Sequence, residues 1–444
     1  MKKLLISALG PLACICLLGA VGCNDSPSTV KTGEFVVTFT AGEGFSYFGA
    51  DDTLLPAQTE KLPRGEKFSF HVDLGAFYTG EPTVYGNDKP LKANADGGYT
   101  LTVTEDLTVR VEGVQADVSD MAGTGTATDP YLITRPVDLL YIARQVNAGE
   151  TAYTHASYVL TCDLDCKGEA LQVIVDGSTP DSFFAGSFTA APTDGQTESR
   201  YVISDFVINS DRASFVGLFG QAISDGTEHS GVFQGVGLRD FTVNAGDISA
   251  LSDDKSLYAG GLVGFGDGVT LQDCTAENGT LYVYADSASF AYAGGLAGRL
   301  ENGSSIDNAD VQADVICLQG ETLYAGGVVG YANGKVLTNP AFALATTLTD
   351  CSWTGSVLGG MCAGGIAGRT DNALLENCSA NGSVNARAVQ KAIDSPYRHA
   401  YAGGVVGYSE ITAVENCSFT GETTAHAVSG EFYQHVHPQV GNND

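Results

Sequence analysis

The chain is 444 residues long, acidic and rich in glycine. Its 52 Asp and Glu residues outnumber 22 Lys and Arg residues, and the formal net charge of −30 excludes the extended basic surface that binding to nucleic acid or an anionic membrane requires. The 56 glycines follow no collagen-like period and predict many turns, and the length predicts more than one domain. The negative charge serves solubility or attracts Ca²⁺ and cationic partners, but no motif supports a bound cofactor.

Residues 1–23 have the layout of a secretory signal. Lys2 and Lys3 precede an apolar run from Leu4 to Val21, and small residues lead directly to Cys23. The segment resembles a bacterial lipoprotein signal, which implies cleavage before Cys23 and attachment of lipid to its sulfur. A membrane span is the alternative, but the run is shorter than the ~20 residues that a spanning helix needs. We therefore expect an exported protein that is anchored by lipid to the membrane of the bacterial envelope, at the cell surface.

Residues 24–33 are polar and are interpreted as a tether. From residue 34 to 116 the pattern changes to short alternating runs, namely FVVTFT, KFSFHVDL, YTLTVT and LTVRVEGV. Clusters such as GNDKP and NADGG separate these runs, and period-two runs between turn residues indicate antiparallel strands. We predict a small antiparallel β-sandwich-like module here and interpret it as a spacer without a site.

Residues 117–150 form a junction that contains one predicted helix. Pro136 stands where this helix begins and Gly149 lies just past its end. The predicted apolar face consists of Leu139, Ile142, Ala143 and Val146. An amphipathic helix ahead of a long β region needs a partner for that face. Capping the open end of stacked β-coils would provide one, because an uncapped coil exposes apolar interior and unpaired backbone.

Residues 151–430 repeat one seven-residue phrase. It reads YAGGLVG at Tyr258 to Gly264 and returns in AYAGGLAG, LYAGGVVG, MCAGGIAG and AYAGGVVG. Its second glycine recurs every 32 to 39 residues, at Gly261, Gly295, Gly327, Gly365 and Gly404. Recurrence in this range indicates stacked units. A cysteine follows that glycine by 13 residues in three units, whereas Cys351 follows it by 24, which predicts an inserted loop near residues 337–347.

The units are rich in predicted strands, and turns are expected at the Asn-Gly dipeptides that begin at Asn278, Asn302, Asn333 and Asn381. Units that place the same short strand at the same offset can satisfy each strand by parallel pairing with its copy one coil away. We therefore predict an all-β fold whose main part is a right-handed parallel β-helix. About eight coils would rise ~4.8 Å each. Residues 431–444 are expected to form a tail.

The phrase AGG[LVI][VA]G, followed by NC[ST]xxG, resembles the GLUG repeat of bacterial surface proteins, and LTCDLDC at residues 160–166 resembles the coils that precede such repeats. The resemblance implies a module for adhesion or display, and the family also occurs as a non-catalytic region of IgA-specific metallopeptidases. Such a zinc peptidase needs His-Glu-x-x-His on one helix, and the sequence contains no such segment. The close pair His435 and His437 is interpreted as part of the polar tail, and no metal site is predicted.

Stacking the repeats places equivalent residues in columns. If the phrase is one extended strand, Tyr258 and Leu262 point to the same side. We assign that side to the core because Cys362 replaces the tyrosine in one copy, although a ligand-binding platform of tyrosines is a rival interpretation.

The next column should face outward, and we name it the stripe. It consists of Phe265, Arg299, Tyr331, Arg369 and Tyr408. Rings alternating with guanidinium groups favour cation–π contacts. The stripe either shields the turn or recognises an acidic glycan or an acidic protein partner, and it is the candidate recognition surface.

Two further sets of side chains leave alternatives open. Stacked coils would bring Cys378 within disulfide range of Cys351 and Cys417, but free thiols packed as small apolar residues are the other possibility. Asp163 and Asp165 share a strand face ~7 Å apart, a separation compatible with paired-carboxylate catalysis. Carboxylates are also ordinary in first coils of this type, and no catalytic motif is found in the sequence.

Three functions therefore remain open at this point. The leading hypothesis is a lipid-anchored surface protein that binds a glycan or host protein through a β-helix stalk. A polysaccharide-active β-helix enzyme, either a lyase or a glycoside hydrolase, is one alternative. A purely structural spacer is the other.

Overall fold

The computed structural model describes residues 33–437 except 178, 180–181, 191–200, 211–212, 228–229, 247–255, 286–289, 319–321, 336–343, 389–397 and 428–431. The signal segment, Cys23 and the tether up to residue 32 lie outside the described residues. The chain forms two compact units. One contains residues up to 41 together with 47–72 and 83–112, and the other contains 42–46, 73–82 and residues from 113 onward.

The N-terminal β module contains nine strands. They are β1 (Glu34–Phe35), β2 (Val37–Phe39), β3 (Phe45–Gly49), β4 (Leu62–Pro63), β5 (Lys67–Leu74), β6 (Tyr78–Gly86), β7 (Lys89–Pro90), β8 (Tyr99–Thr102) and β9 (Leu107–Ala116). One sheet has the order β2-β9-β6-β7 and a second the order β3-β5-β8, while β1 pairs with β4. The predicted small module is confirmed, although β2 and β9 pair in parallel. The sequence patterns missed β3, β4, β6 and β7, because glycine, proline or acidic residues interrupt or flank their alternation.

The predicted helix is α1 (Pro136–Asn147), and a short helix α2 (Thr151–Thr154) follows it. Pro136 is in the first turn, where a missing N–H costs nothing. The buried carboxylate of Asp138 accepts hydrogen bonds from the backbone N–H groups of Thr134 and Arg135, both at 3.0 Å, and so caps the helix start. The predicted apolar face of Leu139, Ile142, Ala143 and Val146 is confirmed, because all four side chains are buried in the same cluster as the first coils.

Four parallel sheets form the β-helix, and between Phe215 and Ala427 each coil contributes one strand to each of them in turn. Sheet I contains Phe215–Val216, Ser256–Gly260, Phe290–Gly294, Thr322–Gly326, Cys362–Gly364, Arg398–Gly403 and Phe432–His437. Sheet II contains Phe219–Ile223, Val263–Asp267, Ala297–Glu301, Val329–Asn333, Ala367–Asp371 and Val406–Glu410.

The other two sheets begin nearer the N-terminus. Sheet III contains Tyr131–Ile133, Ser157–Leu160, Ser187–Thr189, Val232–Gln234, Thr270–Gln272, Ser305–Asp307, Thr346–Thr349, Ala373–Glu376 and Ala413–Glu415. Sheet IV contains Leu164–Ala170, Val202–Ser210, Gly237–Ala245, Thr275–Tyr284, Asp310–Leu318, Ser352–Gly359, Ser379–Ala388 and Ser418–Ala427.

The register confirms the predicted parallel stacking of repeats. Tyr258 pairs with Tyr292, and Tyr292 pairs with Tyr324 one coil further on. The predicted insertion lies between the strands Val329–Asn333 and Thr346–Thr349, and Lys335 and Leu344 exchange backbone hydrogen bonds of 2.9 and 3.1 Å across its base. Part of the predicted tail is a further strand, since Phe432–His437 pairs with Arg398–Gly403 in sheet I.

The interior of the coils is a continuous apolar core. The column Leu262, Leu296, Val328, Ile366 and Val405 is fully buried in it. Aromatic rings fill the early coils, where Phe219 lies 4.7 Å from Phe184 and 4.9 Å from Phe233 between ring centroids. Trp353 occupies a later coil, and its indole N–H donates to the carbonyl oxygen of Ala313 at 3.0 Å. Burial of this apolar column along the whole stack is what holds the coils together.

Candidate functional site

The repeated phrase spans a corner between two sheets. Ser256–Gly260 belongs to sheet I and Val263–Asp267 to sheet II, so Gly261 and Leu262 form the turn between them. We call this turn, in every coil, the glycine corner. Because the chain turns here, the strict alternation expected of one extended strand does not apply.

The assignment of the tyrosines to the interior is therefore wrong. Leu262 lies in the interior, but Tyr258 belongs to a separate buried cluster outside it. That cluster consists of Tyr258, Tyr292, Tyr324, Tyr331, Cys362 and Tyr401, with Phe265 and Tyr408 packed against it. The tyrosines are buried as expected, yet the side chains that cover them come from the stripe.

The corner requires glycine because there is no room for a side chain. A Cβ on Gly295 would lie 2.2 Å from the carbonyl oxygen of Gly327, and a Cβ on Gly365 would lie 2.2 Å from that of Gly404. A Cβ on Gly327 would lie 2.1 Å from the carbonyl oxygen of Gly365 and 2.4 Å from the Trp353 ring. These glycines therefore permit the close approach of successive coils at this corner.

The stripe forms one column, as predicted. Phe265 pairs with Arg299, Arg299 with Tyr331, Tyr331 with Arg369 and Arg369 with Tyr408 along sheet II. The guanidinium carbon of Arg299 lies 4.9 Å from the ring centroid of Tyr292 and 5.0 Å from that of Tyr331. That of Arg369 lies 5.2 to 5.5 Å from three rings, those of Tyr324, Tyr331 and Tyr408. The stripe and the tyrosine column thus form one cation–π ladder across the glycine corner.

Hydrogen bonds fix both arginines in this ladder. Arg299 donates to the hydroxyl oxygen of Tyr292 at 3.1 Å, and Arg369 donates to that of Tyr324 at 3.0 Å. Only 19% of the Arg299 side chain and 22% of the Arg369 side chain are exposed. These guanidinium groups are therefore mostly covered by neighbouring side chains and have little contact with solvent.

A column of carboxylates, which the sequence analysis missed, neutralises the stripe. Arg299 forms an ion pair with Glu301, and Arg369 pairs with Asp371 at 2.9 Å and with Glu410 at 3.7 Å. Tyr331 donates to Asp371, and Tyr408 donates to Glu410 at 2.8 Å. The signal is visible in the sequence, because an acidic residue or asparagine follows every stripe residue by two positions. The stripe is consequently not a free basic surface.

The electrostatics keep these charges fixed. Burial raises the pKa of Tyr324 to about 12, and burial together with the hydrogen bond to Asp371 raises the pKa of Tyr331. Burial alone would lower the pKa of Arg369, but Tyr324 and Asp371 beside it raise that pKa overall. The arginines stay charged and the tyrosines stay neutral over the ordinary range of pH.

A second corner, between sheets III and IV, is turned by asparagine or aspartate. Its residues adopt positive φ values of 51 to 56°, and they are Asp273, Asn308, Asp350, Asn377 and Asn416. We call this turn the asparagine corner. Each of these residues directly precedes a cysteine or alanine, a dipeptide signal that the sequence analysis did not use. Of the predicted Asn-Gly turns, Asn302 has positive φ and lies in a turn, so that prediction is confirmed. Asn278 has positive φ but lies within the strand Thr275–Tyr284, and Asn381 lies within Ser379–Ala388, so those two predictions are wrong, while Asn333 is the last residue of Val329–Asn333.

The cysteines that follow the asparagine corner stack on one another. The thiol of Cys378 donates to the carbonyl oxygens of Leu348 and Glu376, both at 3.4 Å. Its interaction with the neighbouring Cys351 and its burial raise the pKa of Cys378 to about 12. None of the three cysteines, Cys351, Cys378 and Cys417, forms a disulfide in the structure. Their proximity is as predicted, and the raised pKa of Cys378 and of Cys417 makes these two thiols poor nucleophiles.

The carboxylates considered for catalysis have backbone partners. Asp163 accepts a hydrogen bond from the N–H of Val202 at 2.9 Å, and Asp165 accepts one from the N–H of Lys167 at 2.8 Å. Both carboxylates thus accept hydrogen bonds from backbone groups, one on the next strand of sheet IV and one in the same strand. Among the described residues, no three His, Cys, Asp or Glu side chains converge to form a metal site.

Comparison with known proteins places the repeats in context. The GLUG motif matches residues 359–385 and 399–424. Halomucin from Haloquadratum walsbyi is 30% identical over 148 residues, which are 32% of this chain and only 2% of Halomucin. A candidate immunoglobulin A1 protease from Bacteroides ovatus is 18% identical with a TM-score of 0.38, and the match covers 72% of this chain and 86% of that one. The motif matches confirm the predicted resemblance, and the chain contains GLUG repeats. Each helix in the described part of the chain is too short or too polar to cross a membrane.

Proposed function

We propose that this is an exported, lipid-anchored surface protein whose β-helix is a rigid stalk for adhesion. The observation that carries the proposal is the uninterrupted stack, in which an apolar interior, a cation–π ladder and an asparagine corner recur in successive coils. Eight strands in sheet IV at ~4.8 Å spacing give a stalk of about 34 Å. Such an element holds whatever it carries at a fixed distance and orientation.

The anchor in this proposal is Cys23. Its support is the basic start, the apolar run and the small residues before the cysteine. The net charge of −30 supports a location outside the cytoplasm, where a hydrated acidic surface keeps a displayed protein soluble.

For the stripe, the pairing of both arginines favours a structural role. A ligand with acidic groups would have to displace Glu301 or Asp371 from a guanidinium group that is already four-fifths covered. Breaking such pairs costs free energy that a surface arginine would not require. We therefore propose that the ladder stiffens the stalk, and recognition of an acidic glycan or protein by the stripe becomes the alternative to be tested.

The anchor is tested by fractionation of cells that produce Cys23→Ala. The variant should move from the membrane fraction to the soluble exported fraction and lose the mass of the lipid. Cys14→Ala, which changes a cysteine of the apolar run, is the matched control and should stay membrane-bound. Membrane retention of Cys23→Ala at the level of the unmodified protein would contradict lipid anchoring.

Adhesion and the role of the stripe are tested on an array of neutral and acidic glycans and host proteins with residues 24–444. Binding should survive in Arg299→Lys/Arg369→Lys, which keeps charge but loses the planar contacts, while the thermal midpoint falls. Loss of binding to an acidic glycan at unchanged thermal midpoint would instead assign recognition to the stripe. A protein that binds nothing on the array and whose deletion leaves cell adhesion unchanged would be a spacer only.

A further inference from the structure

We infer that the N-terminal β module contains a binding site for a neutral saccharide. A cavity of about 540 Å³ lies on the outer face of the sheet β3-β5-β8, and residues from the β3–β4 connection and the 94–98 turn complete its walls. This volume is within the range of about 300–1,000 Å³ that is typical of small-ligand sites. The inference is independent of the stalk and of the stripe, since every lining residue belongs to the first compact unit.

Alternation along two paired strands creates the floor of the cavity. Phe68 and Phe70 point toward the module core, so Ser69 and His71 on β5 point outward. Ser69 pairs with Thr100 on β8, and their hydroxyl oxygens are 2.9 Å apart. The side-chain amide of Asn94 donates to the Thr100 hydroxyl at 3.1 Å. Hydroxyl and amide groups both donate and accept, as recognition of sugar hydroxyls requires.

An aromatic pair forms one wall. His71 lines the cavity, and its ring stacks on that of Phe48 from β3 with centroids 5.5 Å apart and planes at 17°. The Nε2 atom of His71 lies 3.6 Å from a carboxylate oxygen of Asp52. Packing against Phe48 orients the imidazole, whose Nε2 edge faces Asp52. A fixed flat ring offers an apolar surface to the C–H face of a pyranose, and its polar edge can reach a hydroxyl.

The charges that line the cavity select the chemical class of ligand. Asp52 and Asp96 provide carboxylates, and no Lys or Arg is among the lining residues. Asp96 is held by the N–H of Gly98, which donates to its Oδ1 at 3.1 Å. Carboxylates with no lysine or arginine in the lining repel anionic ligands and accept strong hydrogen bonds from neutral hydroxyl groups.

The test uses residues 24–444 and isothermal titration with four neutral hexasaccharides, those of maltose, cellulose, mannan and chitin type, and with hyaluronan hexasaccharide as the acidic probe. At least one neutral hexasaccharide should bind with a dissociation constant of about 1 mM or tighter. Ala50→Trp places an indole in the cavity and should abolish binding. Asn94→Ala removes an exposed amide and should weaken binding about five- to tenfold.

Thr102→Ala is the matched control, because Thr102 is exposed on the same strand but does not line the cavity. It should bind like the unmodified chain, as should the double lysine variant of the stripe. Circular dichroism of Ala50→Trp checks that the module is folded, and Asn94→Ala gives a second test if it is not. The inference is overturned if all four neutral hexasaccharides fail to bind, if hyaluronan alone binds, or if a folded Ala50→Trp or Asn94→Ala binds normally.

Discussion

The glycine corner and the asparagine corner both turn the chain from one sheet to the next in each coil, but different residues make the two turns possible. At the glycine corner the backbone has ordinary dihedral angles, but a Cβ would lie 2.1 to 2.5 Å from the carbonyl oxygen of the next coil. At the asparagine corner φ is 51 to 56°, a left-handed conformation that asparagine and aspartate tolerate. The first corner is limited by space and the second by backbone conformation.

The two corners also differ in where they direct the side chains that flank them. Because Gly261 has no side chain and that of Leu262 lies in the core, the flanking Tyr258 and Phe265 rings approach to 5.3 Å between centroids and begin the ladder outside the core. The asparagine corner has side chains that bond to each other, as where the Asn308 amide donates to Asp273 at 2.5 Å. It directs the following thiols inward. The glycine corner therefore places the cation–π ladder outside the core, and the asparagine corner places the cysteines inside it.

The largest effect is expected for Gly327→Ala. Its Cβ would lie 2.1 Å from the oxygen of Gly365 and 2.4 Å from the Trp353 ring, so one of two packed coils must move. Overpacking of this kind should lower the free energy of unfolding by at least about 3 kcal/mol. Urea denaturation measures the change. Gly226→Ala is the control, because its Cβ would meet nothing within 4 Å and only its φ of +86° is unfavourable. Equal losses of unfolding free energy in the two variants would show that lack of space for a Cβ is not what requires glycine at the corner.

Alkaline pH should open the ladder. Burial raises the pKa of Tyr324 from the ordinary value of 10.0 to about 12, and it also raises those of Tyr292 and Tyr331. Since the folded pKa exceeds the unfolded one, the stability contributed by Tyr324 is complete below about pH 10 and is lost as pH rises through about 12, an effect of about 3 kcal/mol. Tyrosinate absorbance and circular dichroism should change together above pH 10. Tyrosines that all ionise near pH 10 in a folded chain would show that the ladder is solvated.

Arg369→Ala tests the cation–π ladder at a single residue. It leaves Asp371 with its hydrogen bond from Tyr331 but without a cation, and the Asp371 side chain is only 19% exposed. We expect a loss of about 2 kcal/mol, between the values for exposed and for fully buried ion pairs. The control is Arg239→Ala, because Arg239 is 39% exposed and lies 4.0 Å from Glu277, and its loss should stay below about 0.5 kcal/mol. Thermal denaturation in low and high salt compares them, and indistinguishable midpoints would show that the ladder adds nothing.

What the sequence could predict follows from this same contrast. The spacing of the phrase was sufficient for the parallel stack and for the column from Phe265 to Tyr408, because identical strands can pair only with their copies. It did not locate the glycine corner, since small residues fit a strand and a turn equally well and only contacts between coils distinguish them. The asparagine corner was detectable from the Asn-Cys and Asp-Cys dipeptides, but the Asn-Gly pairs at Asn278 and Asn381 were the stronger local turn signals.

The candidate sites differ in the same way. The carboxylates Glu301 and Asp371 are visible two positions after the arginines, yet pairing could not be assigned before the side chains were known to share one side of sheet II. The cavity of the N-terminal module joins residues from positions 50–52, 69–72 and 94–100, which no repeat or spacing relates. Because β3 was not among the predicted strands, the position of Phe48 could not be predicted, nor could its stacking on His71.

The smallest effect is expected at the asparagine corner, for Asn377→Ala. Alanine at a φ of 56° is strained, and the side-chain oxygen that accepts from Asn416 at 3.3 Å is lost, so stability should fall by about 1 kcal/mol. Asn377→Gly should recover most of this loss, because glycine adopts the left-handed conformation freely. Asn381→Ala, inside the strand Ser379–Ala388, is the matched control and should change little. If glycine were as harmful as alanine at position 377, the side-chain hydrogen bond rather than the dihedral angle would govern this corner, and the contrast with the glycine corner would fail.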